Sequence, residues 1–396
     1  MNSIDYGLKI RKTALAALLG AGLTVGLTMG SAAFAQTART TSYLIDTNSW
    51  QATEIVFPGR DTFARGVNDL GQVIGYSVTA GRDQHAFITG PDGAGITDLG
   101  TLGGRNRVAE GINSAGRVVG WSDTVGEGSS HAFITGANGA GMTDLGTLGG
   151  PYSAAQAINA SGQVVGYSDT SSGGRHGFIT GLNGVGMTDL GTLGGAETYA
   201  FGINAAGRAV GYSSTATGNS HAYITGANGA GMTDLGTLGG GFSSALGING
   251  AGRVVGFSDT TGGDRHAFIT GPDGVGMTDL GTLGGNFSFA KAVNDAGQVV
   301  GDSFFDGTPG VTHPFITGAN GVGMTDLNTL VHLPDGVILT EAGGINNMGQ
   351  LVATAAIIPE PATYALMLAG LVLLGVVASR KSGSNRRSNG RWASMA

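Results

Sequence analysis

The string His-Ala-Phe-Ile-Thr-Gly, or a variant differing at one position, starts at His85, His131, His176, His221, His266 and His313, so it returns every 45 to 47 residues. A fixed period of this length excludes an irregular globule and requires an array of similar units. Two further strings keep the period. Thr-Asp-Leu places an aspartate after each histidine, at Asp98, Asp144, Asp189, Asp234, Asp279 and Asp326. Gly/Ala-Ile/Val-Asn, followed by Gly-x-Val-Val-Gly or a close variant, places asparagines at Asn68, Asn113, Asn159, Asn204, Asn249, Asn294 and Asn346.

One unit reads as four short strands. In residues 107–149, Arg107 to Asn113 forms the first strand, and Asn113-Ser114-Ala115-Gly116 turns the chain, with Asn bonding its own backbone and Gly free to take positive φ. Arg117 to Ser122 is the second strand, rich in β-branched residues. His131 to Thr135 is the third and Met142 to Leu148 the fourth, joined by a Gly-rich loop. The 76 glycines of the 396-residue chain serve such turns, since they follow no period of three. No segment of the body keeps a helical period. A single unit of this size is too small to bury the faces of its own sheet, so its neighbours must cover them, as in a propeller or a solenoid.

The ends of the array choose between these. The asparagine string occurs seven times and the histidine string six. A degraded seventh copy opens the array, with Tyr43-Leu44-Ile45-Asp46 for a third strand and Thr53 to Phe57 for a fourth, while Gly344 to Thr354 closes it with the missing first half. A solenoid gains nothing from such a split, whereas a ring does, because the first and last strands complete one sheet. The expected fold is all-β: residues 42–356 form a seven-bladed β-propeller of four-stranded antiparallel blades, closed by N- and C-terminal strands, with a β-solenoid as the alternative. The period is close to those of WD40 and kelch repeats, but the Trp-Asp dipeptide is absent. The repeated strings resemble the HAF repeat of extracellular bacterial proteins, a resemblance that runs over most of residues 60–356 and implies a location and not an activity.

Both ends carry targeting features. Lys9, Arg11 and Lys12 precede an apolar stretch from Thr13 to Gly30, and Ala33-Phe34-Ala35 offers small residues for cleavage before Gln36. Residues 1–35 are therefore a signal peptide, followed by a linker over 36–41. Residues 357–396 hold Pro359-Glu360-Pro361, an uncharged run over 362–378 long enough to span a bilayer, and a basic tail with Arg380, Lys381, Arg386, Arg387 and Arg391. This order resembles the PEP-CTERM sorting signal. The resemblance implies an exosortase-type processing enzyme as partner and anchoring in the inner membrane through the helix before processing.

Between 36 and 379 the chain carries 12 basic and 26 acidic residues, a net charge of −14 that repels nucleic acid. The chain has no Cys, so disulfides and thiolate metal sites are excluded. The repeated His and Asp are read as structural partners on adjacent strands, satisfying two buried polar groups per blade, with no metal or other cofactor. The aromatics that follow the Val-Val-Gly strings, Tyr76, Trp121, Tyr167, Tyr212 and Phe257, are read as packing between blades; Asp302 and Thr354 take the last two places.

Catalytic residues should break the repeat. The irregular acids are Glu110, Glu127, Glu197, Asp264, Asp302 and Asp306, and Lys291 is the single lysine of the mature body; none forms a recognised catalytic set. The expectation is a non-catalytic scaffold or interaction module at the cell surface or in the extracellular matrix. The alternatives are a carbohydrate-binding propeller, with extracellular polysaccharide as its partner, and a polysaccharide-acting enzyme.

Overall fold

The computed structural model describes residues 40–57, 61–126, 128–305 and 312–357, together with Leu371 and Leu374, which are helical. The signal peptide over 1–35, the Pro359-Glu360-Pro361 motif, the basic tail and the rest of the 362–378 helix lie outside the described residues, as do Glu127 and Asp306. No helix among the described residues is long and apolar enough to cross a membrane.

The body is all-β, with twenty-eight strands among the described residues. The unit beginning near residue 103 is typical: Gly103–Ile112, Val118–Thr124, Ser130–Thr135 and Met142–Asp144 pair antiparallel in that order. Two boundaries differ from the expected ones. The first strand starts at Gly103 rather than Arg107, because Leu102 and Gly103 already bridge to Thr124. The fourth stops at Asp144 rather than Leu148, because the Asp144 carboxylate accepts the amide of Gly146 at 2.7 Å and turns the chain there, with Gly146 at φ 73°. The repeat domain also begins two residues sooner than expected, with the strand Thr40–Asp46.

Strands from the two ends of the chain share one sheet. Its order is Gln51–Ile55, Thr40–Asp46, Gln350–Ile357, Val337–Ile345, and its central ladder runs from Thr40 opposite Ala356 to Asp46 opposite Gln350. No ladder runs through every unit. The pairings form four sheets of 4, 8, 12 and 4 strands, the larger ones joined across units by single parallel pairs such as Tyr152 with Ser130.

The core lies between successive units rather than within any one of them. Val118 and Val119 point to opposite faces of their strand. Val118 packs with Ile74, Ile88 and Phe133 against the preceding unit, and Val119 with Ile158, Val164 and Phe178 against the following one. Both faces are buried, which is why the second strand shows a Val-Val pair and no polar alternation. The same arrangement joins the shared sheet to the first unit, through Leu44, Ile55 and Val352 on one side and Ala64, Val73 and Phe87 on the other.

Two successive units depart from this packing at places that touch. Tyr223 replaces the repeat's Phe and is fully buried, yet its hydroxyl makes no hydrogen bond among the described residues. Gly177 replaces the repeat's Ala in the preceding unit, and a Cβ there would stand 3.4 Å from the Tyr223 hydroxyl and 3.2 Å from Thr198 Cγ2. The missing methyl makes room for the added oxygen. Tyr223→Phe is expected to stabilise the protein by about 1 kcal/mol or more, by removing an unpaired buried polar group. Gly177→Ala alone is expected to destabilise it, and to cost less when combined with Tyr223→Phe; thermal melts of the double-mutant cycle check this coupling.

Candidate functional site

The asparagine strings build the turns that end each first strand. Asn113 Oδ1 accepts the amides of Ala115 at 3.0 Å and Arg117 at 3.1 Å, which closes its own turn. Its Nδ2 donates to the carbonyl of Asn159 in the next unit at 3.1 Å. The same donation passes from Asn68 to Asn113, Asn159 to Asn204, Asn204 to Asn249, Asn249 to Asn294 and Asn294 to Asn346, and from Asn346 back to Asn68 at 2.8 Å. All seven asparagines are buried.

Three residues before each asparagine the first strand carries a β-bulge. Ala109 pairs with Gly120 and Gly111 with Val119, so Glu110 is an extra residue with no partner. Such bulges re-aim a side chain and tighten the local crossing. The partner strand must come so close that a Cβ on Gly120 would lie 1.9 Å from the Val108 carbonyl oxygen. The register shifts at the corresponding place in the other units, between Ala64 and Gly66, Ala155 and Ala157, Ala200 and Gly202, Ala245 and Gly247, Ala290 and Ala292, and Ala342 and Ile345.

The bulged residues are Arg65, Glu110, Gln156, Phe201, Leu246, Lys291 and Gly343, and all seven line one cavity of about 240 Å³. Beside it the asparagine turns border a second cavity of about 280 Å³, with Asp69 and Asp295 at its wall. Arg65 Nε stands 4.0 Å from the Glu110 carboxylate, and its guanidinium lies over the Tyr76 ring. Burial pushes the Glu110 carboxyl above its ordinary range, against the opposing effect of Arg65. Lys291 forms an ion pair with the buried carboxylate of Asp302 and lies 3.8 Å from Glu341. Asp302 in turn accepts the Ala342 amide at 2.8 Å.

Of the irregular residues singled out in the sequence, the structure thus brings Glu110 and Lys291 to one cavity and sets Asp302 behind Lys291. Glu197 and Asp264 are exposed and lie outside that cavity. Arg65, Gln156, Phe201, Leu246 and Gly343 were missed. Their signal was present: in the aligned strings Ala-x-Gly/Ala-Ile/Val-Asn, the residue x alone differs in every copy.

Each repeated histidine meets its aspartate, Nδ1 to Oδ2, at 2.6 to 2.8 Å, in the pairs His85–Asp98, His131–Asp144, His176–Asp189, His221–Asp234, His266–Asp279 and His313–Asp326. The expectation of burial needs correction. Five of the aspartate side chains are 37 to 43% exposed, and only Asp326 is nearly covered, so the pairs fasten surface turns. Among the described residues no group of three or more His, Asp or Glu could hold a metal ion. Three of the five aromatics after Val-Val-Gly reach across to the next unit, Tyr167 to Tyr199 at 5.1 Å, Tyr212 to Phe242 at 5.7 Å and Phe257 to Phe289 at 5.0 Å, whereas Tyr76 stacks on Phe63 of its own unit at 4.8 Å. Arg175 and Arg265 lie over the rings of Tyr167 and Phe257.

Asp98 differs from the other aspartates because Arg107 joins its pair, at 2.9 Å. Burial raises the Asp98 carboxyl, but the Gly100 amide, His85 and Arg107 outweigh it and hold it below its ordinary range. A lowered folded-state pKa adds stability above the unfolded value and loses it as pH falls through the folded value. Asp98→Asn is therefore expected to melt below wild type at neutral pH, and the two melting temperatures should converge as pH falls below about 4.

No curated protein matches the chain. Among solved structures it is similar to one described as TolB from Agrobacterium tumefaciens, at 9% identity over 82% of this chain and 100% of that one, with a TM-score of 0.49. It is similar also to the β-propeller domain of the Trilobed protease from Pyrococcus furiosus, at 8% identity over 76% of this chain and 94% of that one, with a TM-score of 0.47. At its C-terminal end, over residues 358–381, the chain carries a PEP-CTERM protein-sorting motif, the mark of an exported protein.

Proposed function

We propose that the protein is an exported, non-catalytic interaction module of the cell surface or extracellular matrix, presented by a seven-bladed β-propeller of HAF-type repeats. The observation that carries this reading is the junction at residue 357. The last strand, Gln350–Ile357, ends where the sorting motif begins, at residue 358. An exosortase acting on the motif can remove the tail without touching a paired residue of the body. The acidic, repeat-built body suits display outside the cell, and the cavity at the bulged residues offers it one distinct place to meet a partner. In a host with an exosortase, mass spectrometry of surface protein should find a chain that starts at Gln36 and ends near Pro359-Glu360-Pro361. Surface protein that retains Ala396 would overturn the sorting part of this reading.

The ring itself is inferred from three features: the asparagine donations that return from Asn346 to Asn68, the apolar cluster that joins the shared sheet to the first unit, and the pairing of Thr40–Asp46 with Gln350–Ile357. Deleting residues 40–57 removes two strands from that sheet and bares the edge of Gln350–Ile357. Hydrogen exchange is expected to show lost protection in units far from both ends, such as around Val210 and Val255. Loss confined to the first and last units would favour the solenoid.

A further inference from the structure

The seven bulges share one sequence frame, with Ala before the bulged residue and Gly or Ala after it in every copy; in the last, Ala342-Gly343-Gly344, the shift spans two residues opposite one. A repeat that served the fold alone could set one residue type at this place throughout. Instead the cavity receives arginine, glutamate, glutamine, phenylalanine, leucine and lysine, with Gly343 as a gap. The order around it is not mixed. Arg65, Glu110 and Gln156 come from three successive units and form a polar arc, and Phe201 and Leu246 from the next two form an apolar one.

The polar arc is under-used. The Glu110 carboxylate makes no hydrogen bond among the described residues, and its nearest cation is Arg65 Nε at 4.0 Å. Gln156 Nε2 reaches only the carbonyl of its own neighbour Ala155, at 3.5 Å, a length too long for a good bond. Ionised Glu offers acceptors alone, Arg donors alone, and Gln both. A ligand anion placed here would meet Glu110, and a ligand cation would meet Arg65. A hydroxyl donates and accepts, so a neutral molecule with several adjacent hydroxyls satisfies all three side chains without facing a like charge. Lys291 does not alter this balance, because Asp302 and Glu341 already hold it. The volume of about 240 Å³ falls below the ~300–1,000 Å³ of drug-sized sites and suits a single ring.

We propose that this cavity binds one neutral sugar residue, its hydroxyls on Arg65, Glu110 and Gln156 and its apolar face against Phe201 and Leu246. The proposal rests on the reading of the body as an exported interaction module and names the ligand class of its site.

The test is isothermal titration calorimetry on the full secreted chain with glucose, galactose, mannose and N-acetylglucosamine, and with glucuronate and phenylalanine as charged comparisons. At least one neutral sugar is expected to bind at a single site with a Kd of about 1 mM or tighter. Glu110→Gln, Gln156→Leu and Phe201→Ala should each weaken it about tenfold or more while keeping the wild-type melting temperature within a few degrees. Tyr152→Ala, at an exposed aromatic outside the cavity, should leave it unchanged. The proposal is overturned if no neutral sugar gives saturable heat, if glucuronate or phenylalanine binds more tightly than every neutral sugar, or if sugar binding survives the three cavity variants. Export and tail removal, read by mass spectrometry, stand or fall separately from any of these results.

Discussion

The structure depends on one side chain doing two jobs. In each unit the asparagine carbonyl closes its own turn, and the asparagine amide seizes the backbone of the next unit, so local folding and long-range assembly share a residue. Asn113 shows the economy: its side-chain oxygen accepts two amides of its own turn, and its side-chain nitrogen donates to a carbonyl 46 residues further on. Aspartate could close the turn but would set an acceptor against an acceptor at the joint. Serine could not reach both. The spacing between units is held by an amide length, which leaves the apolar clusters between units to fill a gap already defined.

The bulge three residues before the asparagine frees one residue of each first strand from the ladder. Glycines such as Gly120, pressed to within van der Waals contact of the Val108 carbonyl, hold the two strands together where the extra residue leaves the ladder. The extra residue is then excused from pairing and from the core. It can take any side chain that the cavity tolerates, and the seven copies use that freedom seven ways.

Much of this was legible in the chain. The period, the turn at each asparagine and the split of one unit between the two ends all follow from spacing, because repeated local chemistry leaves repeated strings. What escaped was what depends on two units at once. Glu110 and Lys291 were visible as irregularities, but a bulge breaks the alternation by which a strand's faces are read, so the cavity they share was not. The burial of the His–Asp pairs was misjudged, because a polar pair on adjacent strands looks the same in sequence whether it faces a core or the solvent. The exchange of a methyl at Gly177 for a hydroxyl at Tyr223 spans two units and is silent until their contact is known.

The strand Gln350–Ile357 is the one from which the sorting tail departs, and it lies inside its sheet, with Thr40–Asp46 on one side and Val337–Ile345 on the other. A force applied at Ile357 pulls along a strand held by ladders on both flanks. The load is shared between the two ends of the chain, and such a force must shear two rows of bonds together rather than peel one open. The place where the sorting motif leaves the body is thus also the place where the chain is joined to itself.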